Sequence, residues 1–132
     1  MTLTTSFERP LVVTKRMVDY PNDSHTLERY RATGGYEGAR KALGMTRDEL
    51  VELVKESGLL GRGGAAFSAG MKWSLLAPAR PAYLIVNGDE SEPGTFKDRQ
   101  LIERDPHHSI EGTIIAAWAN EVNHASLYIR GA

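Results

Sequence analysis

The sequence predicts an α/β fold, a short parallel sheet with flanking helices. Two short apolar runs rich in strand formers, residues 82–87 and 126–130, carry the sheet. The long segment between them reads as helical. Strands joined by such a connection run parallel, in a right-handed crossover. A length of 132 residues suits one compact domain with one sizeable core.

Along the chain, residues 1–24 read as an N-terminal arm and residues 25–132 as the α/β domain. The arm holds a β-rich run, residues 11–14, and then turn chemistry in "DYPND", and reads as an irregular arm with one strand. Ser24 stands where it can cap a helix through Leu27 and Tyr30 that stops at Gly34 and Gly35. A second short helix over residues 36–43 ends at Gly44. Thr46 and Glu49 have capping-box spacing. Leu50, Leu53 and Val54 follow at helical spacing, and Gly58 is the left-handed stop. Another helix spans residues 68–76, and "APARP" is a turn. Residues 82–87 predict a buried strand. Residues 98–104 look helical, and Asp105–Pro106 opens a longer helix in which Ile110, Ile114, Trp118 and Val122 recur at i+4. Trp73 and Trp118 read most simply as core residues. The chain carries no internal repeat and no low-complexity segment.

Composition excludes several classes. A formal net charge of −1 gives no global field for nucleic acid or an anionic membrane. No apolar run approaches a membrane span. The start "MTLTTSFERP" has no apolar segment of the signal-peptide kind. With no cysteine there is no disulfide, thiol nucleophile or thiolate metal site. That points to the cytoplasm and places any iron–sulfur chemistry outside this chain.

Two stretches are unusual. In "GLLGRGGAAFSAGMKW", residues 58–73, stand five of the thirteen glycines. Small residues let backbone N–H groups approach a ligand closely, and such a run ahead of a helix N-terminus makes an anion site. A tight interhelical loop needs one cap glycine, and the other four do not follow from it. Residues 61–66 formally fit G-x-G-x-x-[GA], but a capped helix precedes them where a dinucleotide fingerprint requires a strand. A Walker A loop is excluded too, because no Gly-Lys-[Ser/Thr] follows at the required spacing. Phe67 reads either as a core anchor or as a face on which a ring stacks. Lys72 lies one turn after Ser68 on roughly the same face, as a solvated charge or a ligand contact. Arg62 reads as a surface or interface charge.

The second stretch, "NGDESEPG" at residues 87–94, leaves the C-terminal end of the first strand, where α/β sheets collect ligands. Asp89, Glu90 and Glu92 can form a solvated acidic loop or a Mg²⁺ site, although their spacing is not diagnostic. A third reading joins both stretches. Carboxylates and Asn87 bond polyol hydroxyls and ring N–H groups, while the glycine loop holds a phosphate. A ligand with one phosphate, a polyol and such a ring is FMN. His107 and His108 are adjacent on a helix, so they do not chelate, and no metal site is expected.

These stretches carry a resemblance. "GLLGRGGAAFSAGMKW", "YLIVNGDESEPGTFKDR" and "EGTIIAAWA…ASLYIRG", with the preamble "ERYRATGGYEGARKAL", resemble the NADH-binding flavoprotein subunit of respiratory complex I. That family, the flavoprotein (F) subunits of NADH-quinone oxidoreductases, also includes the flavoprotein subunits of NAD-linked hydrogenases and formate dehydrogenases. The resemblance implies a partial FMN-binding α/β domain and hydride transfer from NADH to FMN. By motif position it implies that Gly61, Gly63 and Lys72 contact FMN and that Asn87, Asp89 and Glu90 line the flavin site. Phe67 would stack on NADH, and Glu92 would border the hydride-transfer site as the catalytic residue. Cofactors are then FMN and NAD(H), and partners are other subunits of a complex I, hydrogenase or formate dehydrogenase assembly. The location implied is cytoplasmic, peripheral at the inner face of the cell membrane. Departures are Ala66 for a usual glycine, Ser68-Ala69 for Pro-Thr, Gly88 for a usual alanine, and Leu75 where an aromatic is frequent. The family continues with a second nucleotide segment, a ubiquitin-like domain and a helical domain whose cysteines hold a [4Fe–4S] cluster. The expectation is therefore an N-terminal portion, as a truncated product or a split module. The alternative is a non-catalytic nucleotide- or metal-binding remnant of the same fold.

Overall fold

A computed structural model describes residues 11–131. In chain order the elements are α1 Lys15–Asp19, α2 Leu27–Ala32, α3 Glu37–Ala42, α4 Arg47–Glu56, α5 Ala69–Ser74, β1 Tyr83–Gly88, α6 Lys97–Arg104, α7 Pro106–Ala119 and β2 His124–Ile129. The two strands pair in parallel, Tyr83 opposite His124 through Gly88 opposite Ile129. The helices α6 and α7 form the connection between them.

Local chemistry explains most boundaries. Thr46 and Glu49 form a full capping box at the start of α4, and Gly58 turns left-handed after it. Pro106 opens α7 at a position where no N–H is needed. Two expectations are corrected near the N-terminus. Within residues 11–14 there is no strand: they lead as a turn into α1, with Leu11, Val12 and Val13 exposed and unpaired. A β-rich run without a partner strand has nowhere to place its N–H and C=O groups. Ser24 does not cap α2 either. Thr26 does, accepting from the Arg29 N–H, while buried Ser24 donates to the Arg104 carbonyl at 2.7 Å.

The helix α7 touches α2, α3, α4, α6 and both strands. Its core-facing stripe is Glu111, Ile115 and Ala119. Ala119 joins Ala42, Leu50 and Val51 as the apolar core, with Met45, Trp73 and Ile115 packed against it. The neighbouring stripe of Ile110, Ile114 and Trp118 borders open cavities instead. Ile114 and Trp118 line one of about 560 Å³ with Leu43 and Arg47. Ile110 and Ile114 line another, of about 280 Å³, against Val86, Ile102 and Leu127. Trp118 is therefore not a core residue: it is 45% exposed and donates its indole N–H to the Met45 carbonyl at 3.1 Å.

Glu111 sits in the core-facing stripe because α3 lacks a cap of its own. The α3 N-cap residue, Tyr36, is left-handed and offers no side-chain acceptor. The Glu111 carboxylate accepts from the Ala39 N–H at 2.8 Å and the Tyr36 N–H at 2.9 Å, and it takes the buried Tyr30 hydroxyl as well. Tyr30 in turn carries the Arg16 guanidinium 4.2 Å above its ring. Arg16 pairs with Asp105, which is fully buried, and donates to Thr33 at 2.8 Å. This polar cluster joins α1, α2, α3 and α7.

The sheet is less covered than a buried strand pair would be. Leu84, Val86, Ala125 and Leu127 share the face toward α7, while Tyr83 and Ile85 on the other face are 66% and 67% exposed. Tyr83 stacks on His124 there, with ring centroids 5.8 Å apart. The expected buried strand thus has one open face.

Burial pushes the Glu111 pKa up, but the Tyr30 hydroxyl and the Ala39 and Tyr36 N–H groups outweigh it, and the net direction is down from 4.5. The unfolded chain then binds this proton first as pH falls below about 4.5, so stability declines there until the folded carboxyl also protonates; above that range the contribution is fully present. Glu111→Gln, which sets an amide NH₂ against backbone donors, is expected to cost roughly 1.5–3 kcal/mol at neutral pH. It is also expected to flatten the acid limb of a plot of denaturation midpoint against pH. Unchanged acid sensitivity would exclude Glu111 as its source.

Candidate functional site

The glycine-rich stretch folds as a pinched loop between α4 and α5. Leu60 and Ser68 form an isolated antiparallel bridge. The Gly61 N–H donates to the Phe67 carbonyl at 2.8 Å, and the Ala69 N–H to the Leu59 carbonyl at 2.9 Å. Ser68 then caps α5, accepting from the Met71 N–H. No protein acceptor takes the backbone N–H groups of residues 62–67 among the described residues.

The glycines divide by cause. Gly70 is a packing residue: a Cβ there would lie 2.4 Å from the Lys55 backbone nitrogen, where α5 crosses α4. Gly70, one of the four glycines that a tight loop alone left unexplained, therefore has a packing reason. Gly64 has φ +111 and needs to be glycine for its backbone alone. At Gly63 neither reason holds: φ lies outside the left-handed region, and an added Cβ would meet no atom within 4 Å. Ala66, by contrast, is left-handed with φ 50, a conformation that costs an L-residue energy. Phe67 is 52% exposed at the loop's end, so it is not a core anchor. Lys72 and Arg62 are exposed as well.

The acidic turn leaves β1 and is bound to itself. The Asn87 carboxamide oxygen accepts from the Asp89 N–H at 3.0 Å, and Asp89 takes the Ser91 hydroxyl. Glu90 is left-handed, φ 51, and its carboxylate accepts from the N–H groups of Asp98 at 2.8 Å and Arg99 at 3.0 Å. Burial works against the charge on Glu90, but those donors and nearby Lys97 hold its pKa below the usual value. The Glu92 carbonyl accepts from Thr95, while its carboxylate is exposed and makes no hydrogen bond or ion pair among the described residues.

A cavity of about 510 Å³ opens at the C-terminal ends of the two strands, lined by Asp89, Glu90, Thr95, Phe96, Arg99 and Arg130 among others. Of the residues singled out in the sequence, Asp89 and Glu90 meet in this cavity. Asn87 lies beside it on the open sheet face, opposite Tyr128, and Glu92 on the exposed arc of the turn. Gly61, Gly63, Phe67 and Lys72 belong to the separate loop-and-helix unit and do not line it. Sequence reasoning missed Phe96, Arg99 and Arg130. Applying the strand-end rule to β2 as well as β1 would have found Arg130. Among the described residues no three His, Asp or Glu side chains gather as metal ligands, and no helix is long and apolar enough to cross a membrane.

Comparison with known proteins adds the following. Residues 54–132 match the family described as the Nuo51 FMN-binding domain. The relatives are F subunits of NADH-quinone oxidoreductases. The chain is 58% identical over 119 residues to the second such F subunit of Rhizobium meliloti, covering 88% of this chain and 28% of the relative. It is 54% identical over 112 residues to the F subunit of Streptomyces coelicolor, covering 83% and 25%. For the Escherichia coli F subunit the values are 50% over 109 residues, 80% and 24%. The chain thus spans about a quarter of the length of the curated relatives it matches. Among solved structures, an air-oxidized NAD⁺-reducing [NiFe]-hydrogenase aligns with a TM-score of 0.64 at 37% identity, over 79% of this chain and 19% of that one.

Replacing Ala66 by glycine, the residue usual in the resembling sequences, removes a left-handed Cβ from an exposed bend. It is expected to raise stability by about 0.5–1 kcal/mol, the gain being trimmed by glycine's greater freedom in the unfolded chain. Chemical denaturation of parent and variant measures it; a loss of stability would mean that φ 50 carries no strain here.

Proposed function

The chain belongs to the Nuo51 FMN-binding domain family, and from that premise we propose that it forms the flavin-binding part of an NADH-oxidising flavoprotein of the complex I or NAD-linked hydrogenase kind. The observation that carries this reading is Gly63. It is bare of a side chain where neither packing nor backbone conformation asks for it, inside a bend whose N–H groups have no protein acceptor among the described residues.

The residues fit FMN by their chemistry. Open N–H groups at 62–67, with the Lys72 ammonium one turn into α5, form a donor set suited to a phosphate. Asn87 and Asp89 at the end of β1 supply acceptors suited to hydroxyls and ring N–H groups. Glu90 lies beside them in the cavity wall. Phe67, exposed at the end of the bend, offers a face for the nicotinamide of NADH. When bound, FMN would supply an acceptor for the hydride of NADH and a source of single electrons. Lys72 contributes positive potential to the site and Glu92 negative potential. The balance of the two tunes how readily charge is accepted, and in this reading Glu92 acts on the NADH side. The chain has no cysteine, so any iron–sulfur cluster that takes the electrons belongs to another part of the assembly. Under this reading the partners are the other subunits of such an assembly, and the location is cytoplasmic and peripheral at the membrane's inner face.

Two experiments test the reading. Gly63→Val adds bulk where the fold has room, so its thermal melt is expected to match the parent while FMN affinity falls more than tenfold, in line with blocked approach of about two charge-assisted hydrogen bonds. Equal affinity in a fluorescence titration would remove the loop from the flavin site. In an NADH-oxidising assembly containing this chain, Glu92→Gln is expected to slow NADH oxidation about tenfold to a hundredfold with flavin content preserved. Steady-state rates equal to the parent's would take Glu92 out of the site.

A further inference from the structure

Glu90 stands apart from its acidic neighbours in what its carboxylate holds. The first N–H groups of any helix lack intrahelical partners, and α6 has no local residue to meet them. Its N-cap is Phe96, with no side-chain acceptor. The Asp98 carboxylate is taken up by Lys97, and the Arg99 guanidinium turns along the helix to Glu103 at 2.8 Å. The missing acceptor comes instead from the end of β1: both Glu90 oxygens are engaged, by Asp98 N–H and Arg99 N–H. Glu90 adopts φ 51 to reach them, a conformation that a residue with a Cβ rarely takes unless it is held there. The bond closes residues 90–98 into a loop at its base. That loop carries Glu92, and it carries Thr95 and Phe96 into the cavity wall beside Glu90 and Arg99.

Resting on the flavin reading above, we propose that Glu90 is a positioning residue. Its carboxylate ties the N-terminus of α6 to the end of β1 and so fixes the turn bordering the flavin site, without itself touching the flavin. Asp89 and the exposed Glu92 remain the carboxylates available to ligands. The direction in which its surroundings move Glu90, toward the ionised form, agrees with an acceptor of two backbone N–H groups.

The test uses the chain with Glu90→Gln and with Glu90→Gly, the second of which also accommodates the left-handed backbone. Three quantities are read: hydrogen exchange at the Asp98 and Arg99 amides without ligand, FMN affinity by titration, and the visible spectrum of bound FMN. Both variants are expected to exchange about tenfold faster at those two amides and to bind FMN several-fold more weakly, with the bound spectrum unchanged. Weaker FMN binding with unaltered exchange, or with a shifted spectrum, would make Glu90 a direct ligand and overturn the proposal. Faster exchange with undiminished affinity would overturn it too, by severing the clamp from the site. Failure of the unaltered chain to take up FMN would instead bring down the flavin reading itself, an outcome that neither of the other two produces.

Discussion

One buried carboxylate organises the helical half of this molecule. Glu111 lies on the core side of α7, where an apolar side chain would ordinarily sit, and closes the N-terminus of α3 through two backbone N–H groups. A buried ion is costly unless fully bonded, so the geometry around it is narrowly set. Gly38 shows how narrowly: a Cβ there would come within 2.9 Å of the Glu111 Oε1. Tyr30 completes the shell, and through its ring and Arg16 the arrangement reaches α1 and Asp105 at the start of α7. Burial and the neighbouring Glu111 charge push the Tyr30 hydroxyl's pKa far above its ordinary range, so it remains a donor.

With Glu111 inward, the rotation of α7 follows. Residues four apart share a face, so Ile115 and Ala119 turn to the core with it, and the next stripe, Ile110, Ile114 and Trp118, borders the cavities. The same rotation lays α7 along one face of the two strands. Tyr83, Ile85 and Asn87 are left on the open face, and the strand ends are left free to form a cavity with α6.

The glycine bend and the acidic turn solve different problems with similar means. The bend is pinched at its neck by backbone bonds, and its donors point to no protein group among the described residues. The turn is bonded within itself and to α6. Ala66 and Glu90 both sit left-handed, but only Glu90 has side-chain bonds that hold it so.

Sequence alone determined what depends on near neighbours. The Thr46–Glu49 box, the Gly58 stop, Pro106 at the head of α7 and the two strands were all legible, because caps, turns and β-rich runs act within a few residues. The glycine bend and the acidic turn were legible for the same reason. What required the fold was every assignment resting on a distant partner. Residues 11–14 look like a strand but find none to pair with. Ser24 looks like a cap but is claimed by the Arg104 carbonyl, 80 positions away. Trp118 looks like core, yet the stripe one residue over won the interior because Glu111 is needed there by α3. Gly70 looks like part of a ligand loop, but the Lys55 backbone lies against it. Glu90 looks like its acidic neighbours, but α6 supplies donors to it alone. Short-range signals are written in spacing, whereas the direction of a side chain is decided by whichever distant group has an unmet hydrogen bond or an unfilled space.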